Sequence, residues 1–490
     1  MTRPASDRSL SESASRASSP SEGLRNPILD TDSYKLSHYL QYPPDTRAVS
    51  AYIEARTGGD MAYVLFFGLQ MFLMAYLSRR VTAVDIDEAE EIATAHGLPF
   101  NRAGWERIIT VHGGYLPLEI EALAEGSVVP AGIPLVQVRT TDPELYWLAT
   151  YVETALLRAI WYPSTVATIS HAVKQTIRFA LAKSAEPDVA KAALPFRLHD
   201  FGARGTTSFE QAGIGGLAHL VNFQGTDTLT ALLYARRFYD EPMAGYSIPA
   251  AEHATMTAWG EAGEADAFRN MLRKFGGPGR LVAVVSDSYD IYRAVQRTWG
   301  DTLKEDVRQM GGTLVVRPDS GDPTTVPIDV IEMLGEAFGV TVNSKGYKVL
   351  APEVRVIQGD GVNPHSIAVI LERLLAKGWS AENIAFGMGG ALLQKVNRDT
   401  LRFAMKANAR LDAQGRWHDL AKAPTTDKSK ASKAGRLAVY ATDEGQTGWC
   451  RLDDLGQRVN LLRPVWREGK LLQHTTLAEV RARADEMPAG

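Results

Sequence analysis

Seven times in the second half of the chain, a short apolar run of strand length stops on a cluster of Gly, Asp, His, Arg or Ser. The runs are FRLHDFG (196–202), HLVNFQGTD (219–227), GYSIPAAEH (245–253), RLVAVVSDSYD (280–290), TLVVRPDSGDP (313–323), VRVIQGDG (354–361) and IAFGMGG (384–390). They begin roughly 25 to 40 residues apart, room for a strand, a loop and a returning helix. The pattern predicts parallel strands in an α/β barrel. Barrels gather their chemistry at the C-terminal strand ends, so the seven polar clusters predict one converging site. Ordinary turns would supply Gly, Asn and Asp, but do not explain His, Arg and paired Asp.

The flanks follow a different period. LEIEALAEG from Leu118, a turn around Pro130, Ala131 and Gly132, and then IPLVQVR alternate as an antiparallel hairpin does. Asp142 as N-cap, Pro143 and Glu144 open a helix through LYWLATYVETALLRAIWY. LLRPVWREGKLLQ predicts a hairpin turning at Glu468 and Gly469, and Thr476 a cap for a final helix. The most apolar stretch, MAYVLFFGLQMFLMAYL (61–77), is short for a membrane span and carries Gln70, so it predicts a buried helix. Residues 1–25 are Ser-rich with almost no large apolar side chains, which predicts a disordered tail, neither secretory signal nor transit peptide.

At 490 residues the chain exceeds one core, so two domains are expected. The N-terminal part of a β-rich domain is assigned to 26–160, the barrel to 161–400 and the completing β-rich part to 401–490. With 53 basic and 57 acidic residues and a net charge of -4, nothing favours nucleic acid or an anionic membrane. The single cysteine, Cys450, excludes an intrachain disulfide and favours a reducing cytoplasm.

Nine stretches carry a resemblance: TDSYKLSHYLQYPP (31–44), HDFGARG (199–205), NFQGTDT (222–228), PAAEH (249–253), SDSYDIY (286–292), RPDSGDP (317–323), NSKGYK (343–348), IQGDGV (357–362) and FGMGGALLQKVNRD (386–399). In this order they closely resemble the nicotinamide phosphoribosyltransferases, over nearly the whole chain beyond the tail. The resemblance implies an irregular α/β barrel of the type II phosphoribosyltransferases beside a β-rich second domain built from N- and C-terminal segments, active as a homodimer with shared sites. It implies transfer of phosphoribosyl from phosphoribosyl pyrophosphate to nicotinamide, giving nicotinamide mononucleotide and pyrophosphate for NAD salvage. Mg2+ is the expected cofactor, with ATP as co-substrate.

That chemistry develops positive charge on the ribose and negative charge on the leaving group, so it needs carboxylates near one and cations near the other. Asp287, Asp319 and Asp360 end three strands and suit ribose hydroxyls or a metal, with Asp319 the expected Mg2+ ligand. Arg317 shares a strand face with Asp319. Gly359, Gly389 and Gly390 let the backbone approach a phosphate, and ALLQKVNRD reads as a helix behind them. The resemblance adds Arg56, Arg398 and Lys406 around the phosphates, and Lys430 and Lys433 over the pyrophosphate, although their run DKSKASKAGR also suits a solvated loop. It gives Phe201 and the partner subunit's Tyr34 as the two aromatic faces for the pyridine. Arg204 could donate to the amide oxygen and Asp227 accept from the amide NH2. It makes His253 a phosphoryl acceptor from ATP. Ala203 and Met388 depart from residues that some relatives carry, which bears on pocket shape.

Three alternatives remain: a nicotinate phosphoribosyltransferase, a barrel lyase or aldolase, and a non-catalytic binding protein on the same fold. The strand ends carry Asp, Arg and His and no obvious Schiff-base Lys, which disfavours the second. The retained charged motifs disfavour the third.

Overall fold

The computed structural model describes residues 26–422 and 431–486. The Ser-rich segment 1–25 and Lys430 lie outside these.

Six parallel strands form one sheet, in the order Gly225–Thr226, Leu198–Asp200, Ile384–Met388, Val354–Gln358, Thr313–Arg317, Leu281–Val285. Single bridges Gly225 to Tyr246 and Ala250 to Ala283 close it into a ring. The run 245–253 therefore occupies a seventh staves' place without being a strand. Tyr246 bonds to the first edge, while Pro249 O and Ala251 N–H bond to Ala283 on the other. Pro249 has no N–H to extend the ladder. The run 219–227 also differs from expectation, because His219 and Leu220 end the helix Phe209–Leu220 and only Gly225–Thr226 is strand. Alternation turns Ala283, Val315 and Ile357 into the ring, where Phe201, Ile248 and Ala385 pack against them.

The antiparallel sheet has the order Trp417–Asp419, Phe403–Asp412, Thr46–Ala55, Pro134–Thr140, Leu118–Ala122, Arg463–Arg467, Lys470–Leu471. Strands from both ends of the chain thus lie side by side. The 118–140 pairing and the hairpin at Glu468 and Gly469 form as expected, with both turn residues at positive φ. Asp142 caps a single turn, Pro143–Leu145, by accepting from Glu144 N–H at 2.9 Å. The helix proper runs from Glu153–Ser184, with Pro163 inside. Its Ala155 to Ile160 side packs in the sheet's core, and its residues from Tyr162 pack in the barrel's. The final helix, Leu477–Asp485, starts at a Thr476–Glu479 capping box but leaves the sheet and packs in the barrel core.

The stretch 61–77 is not one buried helix. Tyr63–Leu65 is a strand, Gly68 turns the chain at φ 104°, and Leu69–Phe72 continues into a π-helical turn, Leu73–Leu77. Its apolar residues from Val64 to Leu73 are buried, as is Leu77, while Ala62 and Ala75 are exposed. Among the described residues no helix is long and apolar enough to cross a membrane.

Candidate active site

The mouth of the barrel gathers most of the residues singled out by strand-end position. Phe201 follows the strand Leu198–Asp200, and its N–H bonds to Met388 O at 3.1 Å. A Cβ added to Gly359 would lie 3.3 Å from Asp319 Oδ1 and 3.5 Å from Phe201 Cε2. One added to Gly389 would lie 3.4 Å from Phe201 O. Phe201, Asp319, Gly359 and Gly389 therefore meet at one spot, where an added Cβ would already touch its neighbours and glycine leaves more room.

His253 opens a short helix, His253–Thr257, and reaches two carboxylates: Nε2 is 3.0 Å from Asp287 Oδ1 and Nδ1 is 3.9 Å from Asp319 Oδ2. Asp287's side chain is only 4% exposed, which fixes the imidazole's bonding direction. Arg317 Nη2 lies 3.8 Å from Asp319 Oδ2, while Arg317 Nε is buried with no hydrogen-bond partner. Burial pushes the Asp319 carboxyl up; Arg317 and His253 oppose this, and Asp287 and Asp360 reinforce it. Three carboxylates thus share the Arg317 guanidinium and the His253 imidazole, a surplus of negative charge that suits a cationic ribose or a hard metal ion. Among the described residues no group of three or more His, Cys, Asp or Glu is arranged to hold a metal.

Asp227 stands at the same rim. Its Oδ1 accepts from Ser247 Oγ at 2.5 Å, and its N–H donates to Asp200 O at 3.0 Å. Arg204 is exposed in the turn Ala203–Gly205. Gly390 begins a helix, but it ends at Leu393, so ALLQKVNRD is not the helix expected from its sequence. Gln394 instead donates through Nε2 to Gly202 O at 2.5 Å, and Asn397 Oδ1 accepts from Asp399 and Thr400 N–H. Local side-chain bonds of this kind compete with helix continuation.

A second group of residues sits on the antiparallel sheet. Arg56 follows the strand Thr46–Ala55, and its buried Nε and Nη2 have no hydrogen-bond partner. Burial pushes the half-buried Lys406 ammonium down; Glu153 opposes this, and Arg56, Lys35 and Arg398 add to it. Lys433 pairs with Glu54 and lies over the rings of Tyr52 and Trp449, at 5.7 and 4.7 Å. Tyr34 is exposed, meeting His38 edge-on rather than Phe201. No hydrogen bond or ion pair joins this group to the barrel mouth among the described residues. Lys35, Ser247, Asp200 and Gly387 were not singled out from the sequence. All four lie inside quoted stretches, yet the contacts of Ser247 Oγ and of the Asp200 main-chain oxygen with Asp227 join separate runs.

A sequence model of the nicotinate phosphoribosyltransferase (NAPRTase) family matches residues 196–470, and one of the nicotinamide phosphoribosyltransferase N-terminal domain matches 26–120. The chain belongs to the nicotinate phosphoribosyltransferase family. It is 53% identical over 467 residues to a nicotinamide phosphoribosyltransferase of Xanthomonas campestris pv. campestris (strain 8004), covering 94% of this chain and 98% of that one. To one of Acinetobacter baylyi (strain ATCC 33305 / BD413 / ADP1) it is 32% identical, covering 94% and 97%. Among solved structures it resembles nicotinate-nucleotide pyrophosphorylase from Pyrococcus furiosus, with TM-score 0.61, 16% identity and 96% of each chain covered. Human nicotinic acid phosphoribosyltransferase follows at TM-score 0.54 and 19% identity, covering 93% of this chain and 92% of that one. At these identities the structures bear on the fold, which is that of the type II phosphoribosyltransferases.

Proposed function

We propose that the chain transfers phosphoribosyl from phosphoribosyl pyrophosphate to nicotinamide, releasing nicotinamide mononucleotide and pyrophosphate. The observation that carries this reading is Asp227, an acceptor-only carboxylate at the rim that also holds Phe201. Such a group pairs with the amide NH2 of nicotinamide and repels the carboxylate of nicotinate. The pyridine nitrogen brings its own lone pair, so no general base is needed. Phe201 offers a ring face, and Arg204 a donor for the amide oxygen. As the C1–pyrophosphate bond breaks and the C1–N bond forms, Asp287, Asp319 and Asp360 stabilise the cationic ribose, and Arg317 meets the departing charge. Asp319 would hold Mg2+, which would supply positive charge against the departing pyrophosphate.

His253 is the proposed phosphoryl acceptor from ATP. With the Nε2 proton donated to Asp287, Nδ1 presents a lone pair that attacks the γ-phosphorus, and ADP leaves.

The test is to incubate the protein with nicotinamide, nicotinate or quinolinate, plus phosphoribosyl pyrophosphate and Mg2+, and to identify the nucleotide. Nicotinamide mononucleotide is expected; nucleotide from nicotinate alone would overturn the reading. With labelled ATP, acid-labile and base-stable phosphate should form on the wild type and be absent from His253→Ala, which should keep basal transfer. Equal labelling of the variant would place the acceptor elsewhere.

A further inference from the structure

Behind the pyridine slot lies a carboxyl group that the proposed reaction does not use. Asp200 ends the strand Leu198–Asp200 and is 0% exposed. Alternation puts His199 and Phe201 on one face, their ring centroids 6.2 Å apart, and Asp200 on the other.

Two bonds tie this one residue to both walls of the slot. Its Oδ1 accepts from Gly202 N–H at 2.7 Å, fixing the turn that follows Phe201. Its main-chain oxygen accepts from Asp227 N–H at 3.0 Å. The remaining oxygen, Oδ2, is buried, and the Thr228 hydroxyl is the side-chain donor that acts on the carboxyl. The helix Phe209–Leu220 packs closely against it, since a Cβ on Gly216 would come within 3.1 Å. Burial pushes the carboxyl up to about 6, against Thr228 and the Gly202 N–H, while Asp227 adds to the rise. A carboxyl this deeply buried carries a desolvation cost to the fold, so packing alone does not explain its presence here.

The seat of the Phe201 ring gives an independent observation. A Cβ on Gly387 would lie 2.8 Å from Phe201 Cζ and nearer still to Cδ2 and Cε2. Gly387 sits in the strand Ile384–Met388 without a positive φ, so the ring alone forbids a side chain there.

We infer that Asp200 is a positioning residue for the pyridine substrate, holding Phe201 and Asp227 at one fixed separation, while Gly387 leaves the seat for the ring. This rests on the proposed nicotinamide reaction.

Steady-state kinetics of the full chain, with nicotinamide and phosphoribosyl pyrophosphate varied in turn, test it. Asp200→Ala deletes the acceptor for Gly202 and should raise the KM for nicotinamide about tenfold, leaving that for phosphoribosyl pyrophosphate within about twofold. Asp200→Asn keeps an oxygen at Oδ1 and should return the constant to within about threefold of wild type. Gly387→Ala leaves the Asp200 bonds intact, adds one methyl under the ring, and should raise the same constant selectively. A merely structural role would lower Tm while leaving both constants unchanged in the folded protein. The inference is overturned if Asp200→Ala and Gly387→Ala keep nicotinamide KM within about twofold of wild type, or if both KM values rise together. Should Asp200→Ala not fold, Asp200→Asn and Gly387→Ala decide by the same criteria. A wild type that makes no nucleotide from nicotinamide overturns the functional reading and this inference with it; an active wild type with unchanged variants overturns the inference alone.

Discussion

An ionised carboxylate accepts hydrogen bonds and donates none, so as the proposed reader Asp227 would favour an amide and oppose an acid at the same rim. At about 4 Å, repulsion between two carboxylates runs from about 1 kcal/mol in a water-like medium to about 4 at an effective dielectric near 20. Asp227 is exposed and shares Oδ1 with Ser247, which places discrimination toward the lower end, on the order of tenfold. Asp227→Ser should therefore lower kcat/KM for nicotinamide and raise nicotinate use relative to it. An unchanged ratio of the two kcat/KM values would remove Asp227 as the reader. Strand-end position led from sequence to Asp287, Asp319 and Asp360, because period-two alternation fixes which residues meet in a lumen, whereas Phe201 came from the resemblance. Asp200 and Gly387 were not legible in that way. The first points away from the lumen, and the second matters only because a ring from another strand lies across it.

Among the elements, regular ladders were legible and irregular connections were not. The strand Thr313–Arg317 and the pairing of Leu118–Ala122 with Pro134–Thr140 announce themselves as apolar or alternating runs. The stretch 61–77 is apolar throughout, so its period cannot separate a strand from a helix, and the break comes from contacts elsewhere. Buried Glu125 provides them. It accepts from Gln70 N–H at 2.7 Å and from Tyr239 Oη at 2.6 Å, and burial pushes its carboxyl up against these bonds and those from Gly68 and Leu69 N–H. Gly68 makes the turn, and a Cβ there would lie 2.9 Å from Pro163 Cβ and closer to its Cγ. Gly68→Ala should cost about 2 to 4 kcal/mol, from left-handed strain plus overpacking, and lower Tm by several degrees. Gly97→Ala is the control, with φ 87° but nothing within 4 Å of an added Cβ, and should lose only the smaller strain part. Equal losses in the two variants would refute the packing account of the break.

At the scale of the whole molecule, the side chains proposed for phosphoribosyl pyrophosphate fall into two groups. Carboxylates and the ring face lie at the barrel mouth, while Arg56 and Lys406 on the sheet and Lys35 beside it form the other group, with Arg56 Nε and Nη2 buried and without hydrogen bonds, Nε 3.9 Å from Glu54 Oε1. A substrate with ribose at one end and pyrophosphate at the other needs both groups within its own length. A two-fold dimer would meet that need if the sheet of one subunit lay over the barrel of the other, and the exposed ring of Tyr34 would then turn toward the partner subunit's Phe201. Tyr34→Ala and Asp319→Ala should each be nearly inactive. In an equal mixture allowed to exchange subunits, half the dimers are hybrids, and each hybrid has one site with both residues intact. Activity should then rise to about a quarter of wild type. No recovery after verified exchange, or full activity from a species that light scattering identifies as a monomer, would show that each chain completes its own site.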